Sequence, residues 1–192
     1  MKKIILASNS PQRKKLLKDL GVSFKVMPSK VQELKDITST CSALVKHNAG
    51  IKAEDAAKRL KEGIVIGADT LVYAGGMDII GKPRNHRHAR QMLRGYFRKA
   101  HWVYTGVAVI DAQTGKKLID YEKTRIYMQP LTDKDIDRYH AKVNPLDKAG
   151  GFDIEGFGSL FIRRIEGCYT NVIGLPIPKL FQMLKIFGVN LL

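Results

Sequence analysis

An acidic residue inside an apolar run sets the tightest limit on how this chain can fold. Residues 64–73 are mainly β-branched and apolar, with a short Gly-Ala-Asp-Thr interruption that contains Asp69. Such a run is typical of a strand buried on both faces. A buried carboxylate is costly unless a cation, hydrogen-bond donors or a solvent cleft receives it. Asp69 is therefore the first functional candidate, and the alternative is a purely structural ion pair or capped bulge.

A hairpin is predicted to follow this strand. Gly75 and Gly76 suit a tight turn, because glycine adopts the positive φ angles that such turns need. The returning strand would carry Lys82 back toward the region of Asp69. The alternative is that Lys82 is simply solvated.

Length and composition indicate one globular domain covering residues 1–192. The chain has 192 residues, of which 44% are hydrophobic, so it can bury a sizeable core. No apolar run approaches the roughly 20 residues that span a bilayer, and the first apolar stretch is too short for a signal-peptide core. A cytoplasmic protein without a membrane segment is therefore expected. Cys41 and Cys168 have no spacing that indicates a disulfide framework or a zinc site.

The net charge of +15, from 33 basic and 18 acidic residues, favours polyanionic partners. These could be nucleic acid, an anionic membrane or a small phosphorylated substrate. The basic residues are dispersed along the chain, and the sequence contains no aromatic-interleaved basic strands or familiar nucleic-acid motif. This distribution disfavours a nucleic-acid partner without excluding one.

A strand-to-helix turn near the N-terminus is a candidate phosphate site. Ser8 follows an apolar strand at residues 3–7, Ser10 is predicted to cap a helix, and Arg13 lies in its first turn. Free backbone N–H groups at a helix start attract phosphate. The alternative is that Ser10 serves only as a cap.

Two further charged residues lack a local explanation. A helix is predicted over about residues 39–62, and Lys52 lies within its apolar stripe. Either Lys52 extends to solvent with its stem packed, or it points a cation into a phosphate site. Glu33 stands in the preceding polar connection. Residues 147–158 are rich in glycine and charge, and they indicate a loop that faces a ligand.

The remaining chain is predicted to alternate between strands and helices. The pattern indicates a helix capped by Asn85, a hairpin at residues 101–110 and 117–128, a helix from Thr132, a strand at residues 159–165 and a last helix opened by Pro176.

Five ordered blocks of sequence resemble the Maf (septum formation) family: residues 6–13, 68–70, 81–83, 147–156 and 171–176. The resemblance extends nearly from end to end. It implies an α/β, Maf/ITPase-like fold with a central mixed β-sheet flanked by helices and a cleft between two lobes. It also implies a nucleoside triphosphate pyrophosphatase that produces a monophosphate and pyrophosphate with a divalent metal (Mg²⁺ or Mn²⁺), a homodimer, and an influence on septation.

The resemblance also assigns roles to residues. Asp69 would be the base that activates water, and Glu33 and Asp69 would hold the metal. The groups that would bind the triphosphate are Ser8, Ser10, Arg13, Lys52 and Lys82. Such chemistry needs a base, a metal and cations over the phosphates.

Three positions depart from the family patterns that accompany base choice. Members of the dTTP/UTP type usually have arginine, threonine and glutamine where this chain has Gln12, Thr70 and Glu155. Members of the 7-methyl-GTP type usually have tryptophan, glutamine and glutamate there. Each pattern agrees at one position, so we expect pyrimidine or broadened base choice. The alternatives are a 7-methyl-GTP-type enzyme, or a non-catalytic protein that binds nucleic acid or regulates division.

Overall fold

The computed structural model describes residues 2–34, 40–75, 79–96, 100–152 and 154–192. The strands are β1 (Ile4–Leu6), β2 (Phe24–Val26), β3 (Ile64–Tyr73), β4 (Ile79–Ile80), β5 (His101–Asp111), β6 (Lys117–Met128) and β7 (Ile162–Glu166). The helices are α1 (Pro11–Asp19), α2 (Cys41–Ala57), α3 (His86–Tyr96), α4 (Asp133–His140), α5 (Tyr169–Ile173) and α6 (Ile177–Ile186). Three 3₁₀ turns cover Pro145–Asp147, Ala149–Gly151 and Gly156–Phe161.

The strands form a mixed sheet in the order β2-β1-β3-β5-β6-β7, with β4 paired to β3. Strand β1 is parallel to both β2 and β3. The β3–β4 and β6–β7 pairs are antiparallel. The expected α/β class with a mixed central sheet is therefore confirmed.

The chain divides into two compact units. The first contains Met1–Thr70, Tyr104–Glu122 and Thr170–Leu192, and the second contains Leu71–Val103 and Lys123–Tyr169. The expected single domain and the cleft between two lobes stay predictions.

In the first unit, the sheet lies between two helical layers. Alternate residues of β3 point to opposite faces, so Ile64 and Ile66 join one apolar cluster and Val65 joins another. Leu17 of α1 and Leu184 of α6 pack in the first cluster. The second cluster contains the small residues of α2, including Ala49, Ala53 and Ala56. Helices thus flank the sheet on both faces, as expected.

In the second unit, the helix starts agree with the sequence patterns. The Asn85 side chain accepts a hydrogen bond from the backbone N–H of His88 at 2.8 Å, before the first full turn of α3. Thr132 and Asp135 form a reciprocal capping box at the start of α4. The turn predicted before β4 includes Gly76, which lies outside the described residues.

Some boundaries differ from the predictions. Helix α2 ends at Ala57 rather than near residue 62, because Arg59 and Leu60 close a tighter turn with backbone bonds to residues three positions earlier. Strand β7 begins at Ile162 because the preceding residues form a 3₁₀ turn. None of the helices in the described ranges combines the length and apolar character needed to cross a membrane.

Candidate active site

A lysine bridges two carboxylates in the first unit. Lys52 Nζ is 2.7 Å from Asp69 Oδ1 and 2.9 Å from Glu33 Oε1. Lys52 is 8% exposed and Asp69 is 9% exposed, whereas the Glu33 side chain is half exposed. The cation that a buried acid requires is therefore Lys52. The alternative in which Lys52 extends to solvent is wrong, because its ammonium group is buried against Asp69.

The close packing of α2 on β3 makes this contact possible. Gly67 and Asp69 are two residues apart on β3 and so point to the same face. A Cβ atom at Gly67 would lie only 2.4 Å from the backbone oxygen of Ala49 in α2. Glycine therefore lets the helix backbone approach the strand. Asn48 and Lys52, one turn apart on α2, can then both reach Asp69.

Arg13 forms a buried network beside these residues. Its Nε donates to Gly174 O at 2.9 Å, and its terminal nitrogens donate to Ser8 Oγ at 3.1 Å and Thr70 Oγ1 at 3.0 Å. Arg13 is 9% exposed. The guanidinium group therefore connects the start of α1, the end of β1, β3 and the turn after α5.

The charge of Arg13 is part of the site. Burial lowers the pKa of the Arg13 guanidinium from its usual value, and the charges of Asp69 and Glu33 oppose that change. Arginine nevertheless remains protonated in proteins. The site thus contains a fixed positive charge near the two carboxylates.

Thr70 is held by a second threonine. The Oγ1 atoms of Thr70 and Thr105 are 2.9 Å apart, and Thr105 Oγ1 also donates to Asn171 O at 3.2 Å. Thr105 is fully buried. The hydroxyl of Thr70, expected to affect base choice, is therefore oriented by Arg13 and Thr105.

The start of α1 has the predicted cap. Ser10 Oγ accepts the backbone N–H of Arg13 at 3.4 Å and donates to Gln12 Oε1 at 3.0 Å. Ser8 Oγ accepts the N–H of Ser10 at 3.2 Å. The capping role of Ser10 is confirmed, while phosphate binding by Ser8 and Ser10, and an effect of Gln12 on base choice, stay predictions.

A polar recess of about 250 Å³ opens beside these groups. Its lining residues are Ala7, Ser8, Asn9, Arg13, Ser29, Val31, Glu33 and Lys52. Pockets for drug-sized ligands usually measure roughly 300–1,000 Å³, so this recess is smaller than a pocket for a whole drug-sized molecule. Three larger depressions, of about 270, 420 and 480 Å³, contain none of the predicted site residues.

Two predicted site residues belong to the second unit. Lys82 is exposed and follows β4, and its neighbour Gly81 accepts a backbone hydrogen bond from Gly150 at 3.0 Å. Glu155 is half buried and immediately precedes the turn Gly156–Phe161. The roles of Lys82 and Glu155 stay predictions.

Sequence reasoning missed Asn48 and Thr105. Asn48 is buried, and its amide donates to Asp69 Oδ2 at 3.0 Å. A signal was available, because Asn48 lies four residues before Lys52 on the same helical face. Thr105 gave no such signal, because its role depends on strand pairing that the chain pattern does not specify.

The fold and the recess define an α/β protein with a charged recess beyond the carboxyl end of β1. A family model described as Maf-like protein matches residues 3–187. The chain therefore belongs to the Maf family.

Curated relatives match along the whole chain. A protein of Pelotomaculum thermopropionicum named dTTP/UTP pyrophosphatase is 45% identical over 192 residues, covering 100% of both chains. One of Alkaliphilus metalliredigens with the same name is 44% identical, again covering 100% of both. The solved Ham1 protein of Staphylococcus aureus is 17% identical, with a TM-score of 0.46 over 66% of this chain and 72% of that one. That structural similarity is too slight to support the assignment.

Proposed function

We propose that this protein is a nucleoside triphosphate pyrophosphatase that cleaves between the α- and β-phosphates and releases a nucleoside monophosphate and pyrophosphate. The observation that carries the proposal is the buried Asp69, paired with Lys52, which also pairs with Glu33. Lys52 and Glu33 both line a polar recess. The names of relatives 44–45% identical along the full chain support the same reaction.

The side chains divide the chemistry among them. Asp69 acts as the base that takes a proton from the attacking water, since each carboxylate oxygen has a lone pair beyond the one it uses for Lys52 or Asn48. Arg13 and Lys52 provide positive charge beside the recess, where a triphosphate brings several negative charges. Ser8 and Ser10 add hydroxyl and backbone donors at the positive end of α1.

The site has the donor set for a hard divalent cation. Glu33 and Asp69 converge on a single cationic atom, Lys52 Nζ, within 2.9 Å. Mg²⁺ is commonly held by one or two carboxylates together with substrate phosphates and water. Glu33 and Asp69 would therefore hold Mg²⁺ or Mn²⁺, which would offset charge on the phosphates when bound. Among the described residues, no group of three or more acidic, histidine or cysteine side chains is placed for a metal.

The proposed substrates are dTTP and UTP, with broadened base choice. The names of the relatives favour pyrimidines. Thr70 agrees with the sequence pattern of the dTTP/UTP type. Gln12 and Glu155 differ from that pattern. A carboxylate only accepts hydrogen bonds, whereas an amide also donates. We therefore propose that Glu155 weakens selectivity among bases. We also propose that Lys82 binds phosphate.

Three further properties complete the proposal. We propose a cytoplasmic location, where nucleoside triphosphates are abundant, and a homodimer, as the resemblance implies. An influence on septation would follow from nucleotide hydrolysis. Size-exclusion chromatography with light scattering tests the dimer, and a single peak at the mass of one chain would contradict it.

Base choice is tested by kcat/KM for pyrophosphate release from UTP, dTTP, CTP, GTP, ATP and 7-methyl-GTP with Mg²⁺ or Mn²⁺. We expect UTP and dTTP to lead the panel, and no turnover in excess EDTA. Glu155→Gln should raise selectivity for UTP over CTP by about tenfold, because one hydrogen bond contributes a net free energy of about 1 kcal/mol. A strong preference for 7-methyl-GTP would contradict the proposed substrates.

A further inference from the structure

Asn48 makes three hydrogen bonds around the proposed base. It is 2% exposed. Its Oδ1 accepts the backbone N–H of Leu34 at 3.0 Å, and its Nδ2 donates to Leu34 O at 3.0 Å and to Asp69 Oδ2 at 3.0 Å. We propose that Asn48 is a positioning residue that fixes the Asp69 carboxylate and the backbone of Leu34, which directly follows Glu33, in one arrangement. This inference rests on the proposed function.

The orientation of the amide is dictated by its neighbours. The backbone of Leu34 presents one donor and one acceptor, and a carboxylate presents only acceptors. With the two amide atoms exchanged, the oxygen would face Asp69 and the Leu34 carbonyl, and the NH₂ group would face the Leu34 N–H. Only the observed orientation satisfies every group.

The Asn48 amide restrains Oδ2 of Asp69, the carboxylate oxygen that does not bond Lys52. Rotation of an aspartate about its last torsion is soft, so one partner leaves the plane of the carboxylate poorly defined. Lys52 occupies Oδ1 at 2.7 Å and Asn48 occupies Oδ2 at 3.0 Å. Two partners on different oxygens hold that plane. A base must keep its orientation to meet the proton that it removes.

The same amide holds the segment that carries Glu33. The paired bonds to the N–H and C=O of Leu34 resemble one rung of a β-ladder, made by a side chain. Glu33 directly precedes Leu34, and its carboxylate reaches the same Lys52. Asn48 thus couples the position of one carboxylate to the orientation of the other.

The test compares kcat, KM for UTP and the urea midpoint in Asn48→Leu, Asn48→Asp and Val45→Ala. Leucine removes all three bonds, while aspartate keeps the acceptor for the Leu34 N–H and loses the donor to Asp69. Val45 is a fully buried residue of α2 and serves as the control for lost packing. We expect both Asn48 variants to lose about 10–100-fold in kcat, with KM within threefold of wild type, and Val45→Ala to retain its kcat.

A readout without turnover completes the experiment. Isothermal titration with α,β-methylene-UTP should give both Asn48 variants a Kd within threefold of wild type, because Asn48 orients the base and does not hold the nucleotide. Asn48 variants with wild-type kcat would overturn the inference, as would a kcat that falls equally in Val45→Ala. If the wild type released no pyrophosphate from any nucleotide, the proposed function would be wrong and the inference with it.

Discussion

Charged side chains buried together are the feature that ties stability to activity at the scale of single residues. Asp69 loses most of its hydration on folding, and Lys52 and Asn48 replace it. Removing one partner of such a pair leaves an uncompensated buried charge, which costs far more than the intact pair contributes. The sites that perform the proposed chemistry should therefore also be sensitive positions for folding.

We predict that Lys52→Met lowers the free energy of unfolding by about 3 kcal/mol, because Asp69 then remains buried without its cation. Lys117→Met is the matched control. Lys117 makes an ion pair with Glu54 at 2.9 Å, but the two side chains are 57% and 37% exposed, so its loss should cost well under about 1 kcal/mol. Urea denaturation near neutral pH measures the free energy of unfolding of both variants. Equal losses in the two variants would contradict the role of Lys52 as the cation that compensates the buried Asp69.

The carboxylate of Asp111 makes the free energy of unfolding depend on pH. The Lys2 ammonium donates to Asp111 Oδ2 at 2.9 Å. This bond, with the backbone N–H groups of Gln113 and Thr114, holds the pKa of Asp111 below its usual value, although burial opposes the change. A depressed folded pKa stabilises the protein above the pKa of the unfolded acid, about 3.9, and this contribution is lost as pH falls through the folded pKa.

The expected result is an Asp111→Asn variant whose urea midpoint is lower than wild type at about pH 7 and closer to it at about pH 2.5, because the contribution of the ionised Asp111 decreases as the pH falls below about 3.9. Lys2→Met removes the main cause of the lowered Asp111 pKa. It should therefore also reduce the change of the urea midpoint with pH. A midpoint difference that stays constant between the two pH values would show that the charge of Asp111 is not responsible.

At the scale of elements, the site depends on how closely α2 approaches the sheet. A Cβ atom at Gly106 in β5 would lie 2.1 Å from Val45 O, and one at Gly67 in β3 would lie 2.4 Å from Ala49 O. Both obstacles are helix backbone, which cannot rotate away as a side chain can. Two neighbouring strands thus need glycine at the points where they face α2.

Gly106→Ala should therefore lower the free energy of unfolding by roughly 2–3 kcal/mol, the upper part of the usual range for overpacking a core. Gly95→Ala is the same substitution in the exposed part of α3, where a Cβ atom meets nothing within 4 Å. Alanine should stabilise that helix by about 0.5–1 kcal/mol. Thermal or urea unfolding distinguishes the two, and a Gly106→Ala protein as stable as wild type would refute the close approach.

Local sequence signals predicted the positions of helices and strands better than they predicted which side chains are buried. The caps at Ser10 and Thr132 and the antiparallel pairing of β3 with β4 are encoded by neighbours in sequence, and the structure agrees with them. Arg13, in the first turn of α1, is buried, whereas Leu20, directly after the helix, is 43% exposed. The sequence pattern could not predict the burial of Arg13, because its partners include groups from β3 and from the turn after α5.

At the scale of the molecule, long-range partners explain what the sequence left open. Lys52 and Asp69 were both singled out, but their contact required strand β3 to lie against α2. Asn48 was missed although it lies one turn before Lys52 on the same face of α2. Thr105 was missed because its role depends on strand pairing, which the sequence pattern does not specify. The family match over residues 3–187 supports the order of blocks recognised in the sequence, whereas the roles of Lys82 and Glu155 stay predictions.

The most direct test of the proposed function is product analysis of UTP incubated with Mg²⁺ and either wild type or Asp69→Asn. Ion-exchange chromatography should reveal UMP and pyrophosphate in equal amounts with wild type. The variant should be slower by about 10²–10⁴-fold, with a circular dichroism spectrum like that of wild type. UDP and inorganic phosphate as products, or undiminished turnover by Asp69→Asn, would contradict the proposal.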